Sequence, residues 1–138
     1  GRADLASQLG ADRIVSSFDG LQPDTYDIVI DATGAIPVMN RSIDFARMGG
    51  TVLLFGVPPI GRNLEVEGFK IFRKGLTVLS SFTSVRNSFQ AVNLLQSGQV
   101  RVNALISHRL PLDELPRALE LIESRDPAVK KVIVQPNV

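Results

Sequence analysis

"ARMGGTVLLFGVPP", residues 46–59, decides how this chain folds. Val52, Leu53, Leu54 and Phe55 form an unbroken apolar run, bounded by Gly49 and Gly50 before it and by Gly56, Pro58 and Pro59 after it. A short run without polar alternation fits a strand buried on both faces, and such strands belong in the middle of parallel sheets. Gly56 stops the run where backbone can approach a neighbour closely, and the prolines prevent both a continuing ladder and an immediate helix. In an open α/β sheet the groups just beyond the carboxyl ends of the strands line the ligand crevice. Phe55, Gly56 and Val57 are therefore candidates for touching a ligand through backbone; the alternative is an ordinary turn after a strand.

The flanking sequence repeats the same alternation. Arg2, Leu5, Ala6 and Leu9 keep one helical face, with Gly10 placed as a C-terminal cap. Residues 13–15 read as a short strand and 16–25 as a loop with Gly20 and Pro23 as turn residues. Residues 27–32 ("DIVIDA") read as the next strand, closing on Thr33 and Gly34. Met39, Ile43 and Ala46 mark a helix with Pro37 at its start and Gly49 near its end. After a polar loop come a helical turn at 69–73 and a strand at 76–82 ("LTVLSSF"). Val85, Phe89, Val92 and Leu95 share a helical face that ends at Gly98. Leu115, Ala118, Leu119 and Ile122 form another, with Asp113 placed to cap it and Pro116 in its first turn. Residues 132–134 close the chain as a strand before Pro136. Strands alternating with helices predict an α/β fold: a doubly wound, mainly parallel sheet with right-handed crossovers and helices on both faces.

The totals exclude several function classes. A chain of 138 residues accommodates one domain, and its 15 basic and 14 acidic side chains are scattered and nearly cancel. That argues against a nucleic-acid surface or a polybasic membrane patch. With no cysteine there is no disulfide, thiolate zinc site or cysteine nucleophile. No segment reaches membrane-spanning length and the start does not resemble a signal peptide, so the default expectation is a cytoplasmic protein. The chain opens on Gly1, already in a helical pattern, which suggests a fragment of a longer protein.

Six stretches in this order resemble the nucleotide-binding domain of the medium-chain dehydrogenase family, the zinc-type alcohol and polyol dehydrogenases, in its sorbitol and threonine dehydrogenase branch. They are "LASQLGAD" (5–12), "DIVIDATGA" (27–35), "ARMGGTVLLFGVPP" (46–59), "LTVLSSF" (76–82), "LISHRLPLDELPRALELI" (105–122) and "KKVIVQP" (130–136). The resemblance implies a Rossmann-like sheet lacking its first strand-helix-strand unit, over residues 1–138, with the catalytic domain absent. It implies an NAD or NADP cofactor, with Ala32, Thr33 and Gly34 as contacts near its adenosine end; the alternative is a plain strand-end turn. Phe55, Gly56 and Val57 would clamp the nicotinamide carboxamide through backbone, with Ser81, Phe82 and Thr83 flanking the same ring. Arg2 matches a position where the family places a basic side chain against the adenosine ribose or its phosphate; the alternative is a solvent-facing arginine. Lys131, or its neighbour Lys130, matches a basic position near the pyrophosphate, the alternative being plain surface. Strand 76–82 resembles the edge through which family dimers join their sheets, which implies a homo-oligomer.

The implied activity of the parent protein is hydride transfer between a small alcohol or polyol and the nicotinamide, with zinc held by residues outside this chain. The family's glycine-rich phosphate loop and its ribose-selecting acidic residue are not in this sequence, so NAD and NADP are not separated. No residue here is assigned a catalytic or metal-binding role. His108 and Tyr26 read as packing or surface residues, and Asp24 with Asp27, or Glu65 with Glu67, are carboxylate pairs in sequence only. Two other readings stay open: a zinc-free quinone reductase relative, and a non-catalytic oligomerisation or binding module.

Overall fold

The computed structural model describes every residue except Thr83, Val85, Asn137 and Val138. Thr83, expected beside the cofactor, and Val85, expected on a helical face, lie outside the described residues. In chain order the elements are α1 (Arg2–Gln8), β1 (Tyr26–Asp31), α2 (Ile36–Phe45), β2 (Ala46–Leu54), α3 (Gly68–Lys74), β3 (Thr77–Ser80), α4 (Ser88–Gln96), β4 (Ile106–Pro111), α5 (Leu115–Glu123) and β5 (Lys131–Gln135). All strand pairings are parallel. Parallel strands alternating with helices make this an open, Rossmann-like α/β fold of the doubly wound class. The chain divides into two compact units, one from Gly1–Ile14 with Arg86–Val138, the other Val15–Val85.

The second unit is a sheet in the order β1-β2-β3. β2 is central, as expected, and Val52 is 0% exposed, but the burial expected on both faces is complete on one only: Leu53, on the other, is half-buried. Ile43 and Ala46 pack on Val52, with Val29, Leu54, Ile71 and Leu76 around them, so α2 and α3 cover the same face. The opposite face carries Ile28 and Ile30, which are 63% and 58% exposed. Helix α2 passes into β2 without a loop: Phe45 is its last residue, and Ala46 is already extended. Gly49, expected near the helix end, lies instead inside β2, with Gly50 beside it. There the register jumps from Tyr26↔Ala46 to Ile28↔Thr51, and Gly49 takes a left-handed φ of +70°. Glycine accepts that conformation at little cost, so the pair forms an irregularity in the strand rather than a cap.

Two lysines tie the helix ends together. Lys74, the buried last residue of α3, donates to the Ile43 and Asp44 carbonyls at 2.7 and 3.3 Å and pairs with Asp24 at 2.6 Å. A cation on the orphan carbonyls of a helix C-terminus satisfies both their hydrogen-bonding capacity and the helix dipole. Lys70 pairs with Asp44 at 2.6 Å, which raises the Lys70 pKa.

In the first unit β4 pairs with β5, and α5 packs beside them. β4 is an element that the sequence reading passed over. Ile106, His108 and Leu110 are half-buried while Ser107 and Arg109 are exposed, but a cation and a histidine hide that alternation. The strand expected at 13–15 belongs to neither sheet, and without a partner strand an extended segment is not a strand. Asp113 does not cap α5; a single 3-10 turn at Leu112–Glu114 leads into it, with Pro116 in the first turn as expected. Among the described residues, no helix is long and apolar enough to cross a membrane.

The central position of β2 sets an expected outcome. Val52→Ala should lower unfolding stability by about 2 kcal/mol in urea denaturation, the transfer cost of the lost methyls plus a cavity. Ile28→Ala, on the exposed face, should cost under about 0.5 kcal/mol. Equal losses at the two positions would contradict the described core.

Candidate functional site

The three strands of the second unit end in register. Asp31 lies opposite Leu54, and Leu54 opposite Ser80. The expected contact residues follow each strand end directly: Ala32, Thr33 and Gly34 after β1, Phe55, Gly56 and Val57 after β2, Ser81 and Phe82 after β3. The structure thus brings eight of them to one edge of one sheet. Ser81 stays attached there, its amide donating to the Leu54 carbonyl at 3.3 Å. Gly34 is buried and Gly56 half-buried, while Phe55, Val57 and Phe82 are exposed.

Asp31, which the sequence reading did not single out, organises this edge. It is 3% exposed. Its Oδ1 accepts from the Thr33 amide at 3.2 Å and the Thr33 hydroxyl at 2.6 Å, and its Oδ2 accepts from the Gly34 amide at 3.0 Å. The Asp31 carbonyl accepts from Phe55 and Gly56 at 2.9 and 2.8 Å. Thr33 Oγ1 in turn accepts from the Ala35 amide at 3.1 Å, at the position just before α2. An aspartate bonding its own backbone two residues on is an Asx turn, which the "DAT" order could have signalled.

The two turns meet backbone to backbone. A Cβ on Gly56 would lie 2.0 Å from the Gly34 amide nitrogen and 2.6 Å from Asp31 Oδ2. A Cβ on Gly34, whose φ is +68°, would lie 2.3 Å from the Val57 carbonyl oxygen. Only glycine fits either position. The result is a ledge at which the two turns meet through backbone alone, with Phe55, Val57 and Phe82 exposed beside it.

The other expected contacts lie in the first unit. Arg2 is exposed at the start of α1, and its Nη2 donates to the Val129 carbonyl at 3.4 Å. Arg2, Lys130 and Lys131 gather at a cavity of about 430 Å³ whose apolar lining is Leu5, Ala6, Leu9 and Leu105. Ser107 fixes the lysine pair: its Oγ accepts from the Lys130 amide at 2.9 Å and donates to the Lys131 carbonyl at 3.2 Å. His108 Nδ1 lies 3.0 Å from that same hydroxyl. The sequence-adjacent carboxylates go to separate partners, Asp24 to Lys74 and Asp27 to Arg47. Among the described residues, no group of three or more His, Cys, Asp or Glu side chains could hold a metal ion.

Burial pushes the Asp31 carboxyl pKa up, but the Thr33 hydroxyl and the Gly34, Thr33 and Gly56 amides outweigh it and hold it below its ordinary value. A folded pKa below the unfolded one contributes stability that is present above ~4 and is lost as pH falls through the folded value. Asp31→Asn should therefore destabilise the protein by about 2 kcal/mol near neutrality. Denaturation of both proteins across a pH series should show that gap narrowing below pH ~4. A gap that widens on acidification would contradict the assignment.

Comparison with known proteins agrees with this geometry. The family described as "Zinc-binding dehydrogenase" matches residues 1–97. D-altritol 5-dehydrogenase of Agrobacterium fabrum is 38% identical over 133 residues, 95% of this chain and 39% of that protein. D-arabinitol dehydrogenase 1 of Uromyces fabae is 32% identical over 115 residues, 83% of this chain and 32% of its own length. The chain thus spans about a third to two fifths of these relatives. Among solved structures, a zinc-binding dehydrogenase of Sinorhizobium meliloti bound to NADP superposes with a TM-score of 0.82 at 31% identity, over 96% of this chain and 42% of the other. An Escherichia coli alcohol dehydrogenase complexed with NADH, 21% identical with a TM-score of 0.83 over 98% of this chain and 42% of its own, shares the fold. From its family match and its relatives, this chain belongs to the zinc-binding dehydrogenases, within the medium-chain dehydrogenase superfamily.

Proposed function

We propose that this chain is the cofactor-binding portion of a zinc-type NAD(P)-dependent dehydrogenase acting on a small alcohol or polyol. The observation that carries the reading is the ledge where Gly34 and Gly56 meet through backbone at the carboxyl ends of parallel strands, the place where such sheets bind ligands. The NADP-bound and NADH-bound relatives support the cofactor class. The arabinitol, altritol and threonine dehydrogenases among the relatives support a hydroxyl-bearing substrate, which would meet residues outside this chain.

In this reading the joined turns, Ala32, Thr33 and Gly34 with Phe55, Gly56 and Val57, lie together under the nicotinamide half of the dinucleotide; the adenosine end expected beside residues 32–34 does not fit, since turns in backbone contact do not reach opposite ends of an extended cofactor. Since the Phe55 and Gly56 amides are committed to the Asp31 carbonyl, the carboxamide is held by the Phe55 carbonyl and the Val57 backbone. Ser81 and Phe82 close the third strand end beside the ring. In the other unit Arg2, Lys130 and Lys131 gather positive charge of the kind that a phosphate group would meet. The bound nicotinamide supplies the hydride chemistry. With one His and no Cys in the sequence, and no group among the described residues that could hold a metal ion, the residues present do not fit a zinc site, and no step here passes through zinc. That metal and the catalytic residues would belong to the rest of a longer protein.

Isothermal titration with NADH and with NADPH tests this directly. The expected result is saturable binding of at least one nucleotide below about 1 mM, equivalent to roughly 4 kcal/mol. Heats indistinguishable from dilution, on protein shown by circular dichroism to be folded, would contradict the proposal.

The same reading includes self-association through β3, an edge strand whose four residues are all exposed. Pairing across a two-fold axis would cover its unpaired backbone groups. Light scattering should report a dimer, and Leu79→Lys, which sets like charges across that axis, should give a folded monomer. A monomeric wild type, or a variant that stays dimeric, would refute this interface.

A further inference from the structure

We infer that Asp31 is a positioning residue for the dinucleotide, joining the Thr33–Gly34 turn and the Phe55–Val57 turn into one rigid ledge. The inference rests on the cofactor-binding reading above. Turns beyond strand ends are among the more mobile parts of a sheet protein, and each of these two is short of side chains that could anchor it. Asp31 supplies the missing anchor from beneath. Its carboxylate holds the first turn by three hydrogen bonds, its carbonyl holds the second by two, and the Gly56 amide also faces the carboxylate.

Direct contact with the cofactor is ruled out by the geometry. At 3% exposure the side chain presents almost no surface, and its carboxylate oxygens are already engaged by Thr33 and Gly34. A carboxylate also has the wrong sign to attract an anionic dinucleotide. Turned inward and met by three amide and hydroxyl donors from two residues, its charge is spent on the turns and is hidden from the ligand. It thus differs in role from the acidic residue that reads a ribose hydroxyl in dinucleotide folds, which must face the cofactor. The absence of room for any Cβ between Gly34 and Gly56 makes the join stiff: neither turn can shift toward the other, and the hydrogen bonds oppose their separation.

The test compares wild type, Asp31→Asn, Thr33→Val and Thr33→Ser by amide hydrogen exchange and by NADH and NADPH titration. In Asp31→Asn, the Gly34 and Gly56 amides should exchange at least tenfold faster over and above the acceleration that the global loss of stability gives the Val29 and Val52 amides. Nucleotide affinity should fall about tenfold. Thr33→Val, a milder change that stays informative if Asp31→Asn does not fold, should move both readouts the same way, and Thr33→Ser, which keeps the hydroxyl, should restore them. A uniform acceleration of exchange across β1 and β2 would show a stability role only and overturn the inference. A folded Asp31→Asn variant that binds as tightly as wild type would overturn it while leaving the cofactor reading intact. A wild type that binds neither nucleotide would overturn both.

Discussion

The Asp31 carboxylate, buried under the carboxyl edge of the sheet, draws the Gly34 turn down while its carbonyl draws in Phe55 and Gly56. Everything else at this edge depends on that double hold. It fixes where β1 stops, sets the two glycines in backbone contact, and passes through the Thr33 hydroxyl to the Ala35 amide at the start of α2. A buried charge is tolerated only when its hydrogen-bonding capacity is met, and here the sequence places the donors within three residues of the acceptor. The same few atoms therefore terminate a strand, start a helix and shape a ledge.

That ledge sits on a sheet whose order follows from its core. β2 is central because Val52 can be covered by Val29 and Ile43 together with Ile71 from α3. Parallel pairing then leaves the three strand ends level at Asp31, Leu54 and Ser80, and the residues one or two steps further on are neighbours without being close in sequence. At the other end of the strands, Lys74 closes the C-terminus of α2 and Lys70 pairs with the Asp44 carboxylate, so these two charges have structural duties.

Much of this was legible in the sequence. The unbroken run from Val52 to Leu54 marks the central strand, and the turn residues of "DATGA" and "FGV" mark the strand ends that lie side by side in the structure. Asp31 was not legible, because at the end of an apolar strand it looks like the first residue of a solvated loop. Only the arrival of the Gly56 turn from twenty-five residues away encloses it. Lys74 was hidden for the same reason: "FRKG" reads as an exposed helix end until the α2 carbonyls are brought to it. β4 was missed because Ser107, His108 and Arg109 mask its alternation, and Gly49 was misplaced because a helix end and a strand irregularity ask for the same left-handed backbone. In each case a tertiary contact decided between local patterns of equal merit.

The claim at the centre of this account is that the two joined turns are where the dinucleotide lies. Mapping amide chemical-shift changes on adding NADPH, and separately NADH, addresses it residue by residue. The account predicts the largest changes at residues 32–34 and 55–57. Saturating changes confined to other surfaces, with both turns unmoved, would contradict it.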